Sequence, residues 1–506
     1  MFTKTTPESV GISSKNIAKY IRLLEKRGMV MHSLLLYRND KLASETYWAP
    51  FDKDTVHRMY STTKTYVAVA IGILQDEGKL NIYDNILDYM GDEVKGNPPR
   101  FMENLTIRDM LTMRTIGETP SIFKIDSFNR RELYFNYKTK SRPSSTQWQY
   151  DSNGSQMLCA LIEKLSGMSL FEFLKVKLFD KMGTFKTATI LKTSDGNCWG
   201  DSAMVCTPRD MLSFARLLLN YGNWNGEQLV SKAYMKEATS KITDNRLSHH
   251  ETALTHGYGY QIWRVEQNGF AMVGMGDQLA ICLPDRDFIA VINCDNEGSA
   301  VSRNIIINGI FDLIVDEMSD EALPCDKESF DSLVELSNSR TLYKLRSDIL
   351  DSPYREVIND KVYECETNDM GIKYFKIHFD SPTDGVLTFE NEQGVKEVPF
   401  GVGKNVFGNF PQYGYYDSVC FEQNDPNFTY RDCVSACWLE ERKFMILVQF
   451  IDRYLGNMTL NFAFREDGDA SLFIHKFAEY FLHEYVTNQD RDNSEGCGWV
   501  VAHKKD

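Results

Sequence analysis

Ser61 and Lys64 stand three residues apart at the head of an apolar run, Tyr66-Val67-Ala68-Val69-Ala70-Ile71-Gly72-Ile73-Leu74. Residues three apart share a helix face, so this spacing sets a hydroxyl beside an amine, a nucleophile next to a base. Val67, Ile71 and Leu74 follow at core-facing spacing and Gly78 supplies a helix stop. In such a buried helix a lysine loses hydration, and its pKa falls toward the range in which the amine accepts a proton. Free N–H groups and the positive dipole end at the helix start suit a developing oxyanion. The same four residues also fit an N-capping serine with a lysine that snorkels to the surface, so the surrounding elements must decide.

Those elements read as strands, a long helical middle, and strands again. Ser14–Lys26 has helical spacing, and residues 32–48 read as two strands about an Arg38-Asn39-Asp40 turn. Helical patterns run from Leu105 to Met113, Gln156 to Leu174 and Pro208 to Tyr221. Strand patterns follow at Tyr258–Trp263, Gly269–Val273, Leu279–Leu283 and Phe288–Ile292, with a closing helix near Ile305–Glu317. A sheet interrupted by a helical insertion accounts for this order. Beyond about residue 325 short alternating segments, such as 372–379, 385–389, 444–450 and 458–464, carry the pattern of an antiparallel barrel or sandwich. The expected architecture is α+β, with residues 1–325 as one domain, a helical subdomain at roughly 85–220, and a lipocalin-like barrel over 326–506.

With 506 residues, 42% hydrophobic and 25% charged, the chain has the composition of a globular protein of more than one domain. A net charge of −15 without a basic run argues against nucleic acid or an anionic membrane surface as the main partner. The N-terminal residues lack a signal-peptide pattern and no apolar stretch approaches a membrane span, which makes the cytoplasm the expected compartment. Eleven cysteines, with no C-x-x-C pair and no zinc-like histidine spacing, read as small buried hydrophobes in a reducing compartment. Neither a metal nor a cofactor is expected.

Three ordered landmarks give the chain a resemblance to the serine β-lactamase and penicillin-binding-protein superfamily, over roughly residues 5–320. It looks most like the branch of class C enzymes, esterases and linear-amide hydrolases. The first landmark is His57-Arg58-Met59-Tyr60-Ser61-Thr62-Thr63-Lys64 running into Asp76-Glu77-Gly78-Lys79-Leu80. The second, Trp148-Gln149-Tyr150-Asp151-Ser152-Asn153, lies where the family has a Tyr-x-Asn element. The resemblance makes Tyr150 a proton relay between Ser61 and the leaving group. Here the position two after the tyrosine is Ser152 and the asparagine follows at Asn153, so either residue stands as the group that orients Lys64 or binds the substrate amide. The third landmark, Gly274-Met275-Gly276-Asp277-Gln278, resembles the family's Lys-Thr-Gly strand and its Gly-rich variants. It implies that substrate lies against Gly274 and that the Met275 N–H joins the Ser61 N–H in holding an oxyanion. Met272 stands where Lys-Thr-Gly relatives carry a cation, which weakens the reading as an antibiotic or cell-wall enzyme. Gly200–Met204 and Pro208–Met211 match family segments read as scaffold.

The resemblance implies a serine hydrolase that cleaves an ester or amide of a small acyl substrate through an acyl-enzyme, with acyl transfer open beside hydrolysis. Two alternatives stand: a catalytically silent binding or sensor protein on the same fold, and a β-lactamase or D-peptidase. The residues leave homo-oligomerisation open. The aromatic stretch Pro411-Gln412-Tyr413-Gly414-Tyr415-Tyr416 in the barrel region could cover the site mouth or a partner subunit, or serve only as scaffold.

Overall fold

The computed structural model describes residues 2–117, 129–137, 142–193, 196–248, 251–349, 351–368, 370–411, 429–452, 455–478 and 495–505. Gln412–Tyr416 of the aromatic stretch lie outside them. The chain divides into two compact units, Met1–Thr341 and Leu342–Asp506.

The first unit is built on an antiparallel sheet of β1 (Met31–Arg38), β2 (Lys41–Tyr47), β3 (Trp263–Arg264), β4 (Phe270–Gly274), β5 (Gln278–Leu283) and β6 (Phe288–Cys294), in the order β2-β1-β6-β5-β4-β3. Asn39 and Asp40 turn β1 into β2 with φ of 49° and 60°, the left-handed pair that a two-residue hairpin needs to match strand twist. The principal helices are α1 (Ser14–Lys26), α2 (Thr63–Asp76), α3 (Ser152–Ser166), α4 (Pro208–Leu219), α5 (Ser302–Ile310) and α6 (Lys327–Asn338). Successive side chains of a strand point to opposite faces, and here both faces are covered. Leu34, Leu36, Ile281 and Ile292 pack with Ile17 and Ile21 of α1 and Ile306 of α5. Leu35, Tyr37, Ala280 and Val291 pack with Val67 and Ile71 of α2 and Leu212 of α4. Two-sided burial explains why these strands read as continuous apolar runs, each large aliphatic contributing about 1.5–3 kcal/mol. α6 stays with this unit, packing on α1 and β2.

Between β2 and β3 the described residues form helices joined by turns, a three-stranded sheet of His57–Arg58, Met204–Cys206 and Thr189–Ile190, and a short hairpin at Asn223–Gln228. α2 runs through the middle of this region, buried from Thr63 to Leu74. At Gly72 a Cβ would sit 2.4 Å from the Tyr234 ring, whose hydroxyl donates to the Ala68 carbonyl at 2.6 Å. Only glycine allows that approach of the ring to α2.

The second unit is a barrel of β7 (Val362–Cys365), β8 (Tyr374–Ser381), β9 (Asp384–Asn391), β10 (Gly394–Val402), β11 (Val406–Asn409), β12 (Arg431–Glu440), β13 (Lys443–Ile451), β14 (Leu455–Phe464), β15 (Asp469–Ala478) and β16 (Glu495–Lys504). Their order is β10-β9-β8-β7-β16-β15-β14-β13-β12-β11, and parallel pairing of Gly401 with Ser435 and Val402 with Ala436 joins β10 to β12. Nine strands therefore close on themselves, with β11 added at the rim. Phe375, Ile377 and Phe379 alternate inward along β8. They meet an aromatic interior that includes Trp438, Phe444 and Phe462.

Candidate active site

Ser61 lies in a single 3-10 turn, Tyr60–Thr62, that runs directly into α2. The turn is held from outside the helix. Met59 N donates to Met204 O at 2.7 Å, and the Thr63 hydroxyl donates to Tyr60 O at 2.6 Å while accepting from Met204 N at 2.9 Å. Tyr60, fully packed, takes φ of 47°. A left-handed non-glycine residue costs about 1–3 kcal/mol, tolerated where the surroundings over-determine the backbone.

Lys64 is 2% exposed. Its Nζ donates to Ser61 Oγ at 2.9 Å and to the Asp201 carbonyl at 2.6 Å, and stands 5.0 Å from the centre of the Tyr150 ring. Tyr150 is half-buried, stacked on Trp263 at 5.8 Å and beside Trp148 at 6.4 Å. Ser61, Lys64 and Tyr150 thus meet at one place. Ser61 and Lys64 meet because both lie within one turn of chain, and the segment leading into α3 brings the tyrosine.

Asp151 caps α3, its carboxylate accepting from Gly154 N at 2.9 Å and from Thr115 Oγ1 at 2.8 Å. Burial pushes this carboxyl up despite those bonds and the nearby Arg142 and Arg130. Ser152 opens the helix. Asn153 turns its Oδ1 to Arg130 Nη2 at 2.9 Å, and the same guanidinium forks onto Asp201, Nη1 to Oδ1 at 2.7 Å and Nη2 to Oδ2 at 3.2 Å. Arg130 is 5% and Asp201 5% exposed. Burial pushes the Asp201 carboxyl up, but the charges of Arg130 and Lys64 outweigh it and hold the group below the usual carboxylate range. Sequence reasoning missed this pair. Asp201 sat in a stretch read as scaffold, and nothing local marks Arg130, whose partner is 71 residues away.

Arg58 anchors the loop that carries Asp201. Its guanidinium lies 4.6 Å from the Tyr60 ring centre and 4.4 Å from that of Trp199, and it donates to the carbonyl and hydroxyl of Ser202 at 3.1 and 3.2 Å.

The Gly-rich turn comes from the other end of the unit. At Gly274 a Cβ would lie 2.4 Å from Met59 O and 3.3 Å from Thr62 Cγ2, so the end of β4 rests on the serine turn itself. Met275 follows, half-buried, and Gly276 and Asp277 both take φ of 69°. A buried chain of amides fixes this bend. The Ser33 hydroxyl donates to Asn293 Oδ1 at 2.8 Å, Asn293 Nδ2 to Gln278 Oε1 at 2.9 Å, and Gln278 Nε2 to Cys294 O at 2.6 Å and Met275 O at 3.3 Å. Gly274 is therefore brought against the turn that carries Ser61, with Met275 next in the chain. Met272 is fully buried in the core shared with α2. Among the described residues no cluster of histidine, cysteine and carboxylate side chains has the form of a metal site.

Comparison with known proteins gives the family of the first unit. The Beta-lactamase family model matches residues 17–310, more than half the chain. A 6-aminohexanoate-dimer hydrolase of Paenarthrobacter ureafaciens is 22% identical over 220 residues, 40% of this chain; the chain spans 56% of that relative's length. Among solved structures, a candidate 6-aminohexanoate-dimer hydrolase from Bacillus anthracis superposes with a TM-score of 0.52 at 18% identity, covering 62% of this chain and 87% of the other. A D-stereospecific amidohydrolase from Streptomyces sp. gives 0.46 at 16% identity, over 59% of this chain and 98% of the other. With the serine turn, the buried lysine and the Gly-rich strand end at one site, and a family match over more than half its length, the chain belongs to the β-lactamase family.

Proposed function

We propose that the first unit is a serine hydrolase that cleaves an ester or amide of a small molecule through an acyl-enzyme. The observation that carries this reading is the buried Lys64 amine 2.9 Å from Ser61 Oγ. A neutral amine at that distance accepts the serine proton as the oxygen attacks the acyl carbon. The proton taken by Lys64 passes by way of the Tyr150 hydroxyl to the leaving group, so that both side chains return to their starting states. The N–H groups of Ser61 and Met275 hold the oxyanion, a role supported by the rigid bend at Gly276 and Asp277. Water completes hydrolysis, and an alcohol or amine in its place completes acyl transfer.

The similarity to a 6-aminohexanoate-dimer hydrolase favours an amide substrate other than a β-lactam. The burial of Met272 supports the same choice, because the residue at the position of the family's cation offers neither charge nor access to a substrate carboxylate. Loss of a charge-assisted hydrogen bond is worth about 1.5–3 kcal/mol, or about one to two decades in specificity.

A fluorophosphonate probe with intact-mass detection tests the reading. Wild-type protein is expected to gain one adduct, mapped to Ser61, and Ser61→Ala to lose both the adduct and turnover while melting within about 1 kcal/mol of wild type. An adduct that persists in Ser61→Ala moves the nucleophile elsewhere. Across short-chain esters, linear amides, D-amino-acid peptides and a cephalosporin, the cephalosporin is expected to be among the poorest substrates; efficient cephalosporin turnover would show that another cation serves the site.

A further inference from the structure

Lys64 is oriented here by a main-chain carbonyl, that of Asp201, and not by Asn153, whose Oδ1 accepts from Arg130. The Asp201 peptide is fixed from its own side chain, because the carboxylate is forked by Arg130 and both groups are buried. One guanidinium therefore ties the head of α3 to the loop that holds the lysine. We propose that the buried Arg130–Asp201 pair is the positioning device for Lys64, keeping the Asp201 carbonyl on the amine and balancing the charge the amine feels. The proposal rests on the reading of Ser61 as nucleophile and deepens it.

The charged and titratable groups around the lysine come from four segments. Tyr150 faces it from the chain before α3, with Tyr258 behind. Asp201 faces it from the loop before Met204–Cys206, and Arg130 stands beyond Asp201 at the start of the helix Arg130–Asn136. Asp151, at the head of α3, interacts with Arg142 and Arg130. Asp201 and Arg130 thus oppose each other at the amine. Removing the arginine leaves the carboxylate to favour the lysine cation, and removing the carboxylate leaves the arginine to disfavour it. A pair that served packing alone would give no such opposition of sign.

The test is the pH dependence of fluorophosphonate labelling in full-length wild type, Arg130→Gln, Asp201→Asn, the double variant and Arg130→Lys. The acid limb is expected to move up by about one pH unit or more in Arg130→Gln and down by a similar amount in Asp201→Asn. It should return toward wild type in the charge-neutral double variant, with Arg130→Lys between wild type and Arg130→Gln. Maximum rates should fall by up to about 100-fold in the single variants as the amine loses its position. Coincident limbs, or shifts of one sign in both single variants, would overturn the proposal. Titration of Lys64 by NMR in protein carrying 13C-labelled lysine reads the same opposition without any activity. If wild type is never labelled at Ser61, the functional reading fails and the lysine midpoints decide the pair alone, opposite shifts supporting it and coincident ones overturning it. Should Arg130→Gln not fold, wild type, Asp201→Asn and the double variant still carry the sign test.

Discussion

The two units build antiparallel strands for different ends. In the first unit both faces of the sheet are covered, and the polar groups around the site are joined in buried networks: Lys64 with Asp201, Asp201 with Arg130, Gln278 with Asn293 and Ser33. In the barrel one face turns inward onto stacked and edge-on aromatics, and the outer face keeps ordinary surface ion pairs such as Lys373–Glu390 and Lys404–Asp384. Buried polar groups demand complete partners and so fix geometry, whereas an aromatic interior asks mainly for volume and shape. Chemistry is expected where geometry is fixed in the first way, and the variants below test that contrast in order of effect.

Lys64→Ala and Tyr150→Phe should each slow Ser61 acylation by about 10²–10⁴-fold, the range of a positioned acid–base group. Their double variant should lose less than the product, since both serve one proton path. Near-wild-type labelling in Tyr150→Phe would remove the phenol from the path and leave the lysine alone.

Gly274→Ala probes the contact between the end of β4 and the serine turn. Its added Cβ would lie 2.4 Å from Met59 O, a backbone atom in the serine turn, so one of two rigid segments must move. The expected cost is about 1–3 kcal/mol of stability with acylation reduced by up to about 100-fold. Unaltered labelling would show that the strand end yields without disturbing Ser61.

How much of this was legible beforehand follows the range of each interaction. Ser61 and Lys64 lie one turn apart, and the hairpin turn at Asn39–Asp40 is written in residues that accept positive φ, so both could be read locally. The segment Tyr258–Trp263 read as a strand, yet only Trp263–Arg264 pairs in the sheet. Gln261 takes φ of 55° and its side-chain amide donates to Met110 and Leu111 carbonyls, a tertiary demand that overrides the β-branched and aromatic pattern. The helical pattern of Gln156–Leu174 is divided by Gly167 at φ of 69°. The Arg130–Asp201 pair was illegible, because a long-range ion pair leaves no periodicity to count.

Acid should separate the two units. In the first unit burial holds His57 down to about 4, and burial together with His57 lowers His32. An unfolded histidine titrates near 6.5, so between about pH 6.5 and 4 the unfolded unit binds more protons and stability falls as pH falls. His57 alone contributes about 3 kcal/mol across that window. In the barrel the hydrogen bond to Asp360, with Asp380 on the other nitrogen, raises exposed His378, and Glu366 and Asp469 likewise raise His503. Their contribution is present below the unfolded pKa and is lost as pH rises through the folded one. Hydrogen exchange read by mass spectrometry at pH 7.5 and 5 should show protection falling in β1, α2 and their neighbours while β7, β8 and β16 hold or gain. Parallel loss in both units would break the comparison.

The smallest effect is expected from damage to the barrel. Trp438 is fully buried between Phe444 at 4.8 Å and Phe379 at 6.1 Å. Trp438→Ala should therefore cost the second unit about 3–5 kcal/mol, as large-to-small core changes do. If the residues that perform acylation all belong to the first unit, the labelling rate of Ser61 should stay within about twofold of wild type. Selectivity between small and bulky esters is the sharper reading. Unchanged selectivity, with the barrel loosened by hydrogen exchange, would make it scaffold. A shift toward bulky esters would show that the barrel limits access to the site, and a labelling rate that fell in step with barrel protection would refute the division of labour altogether.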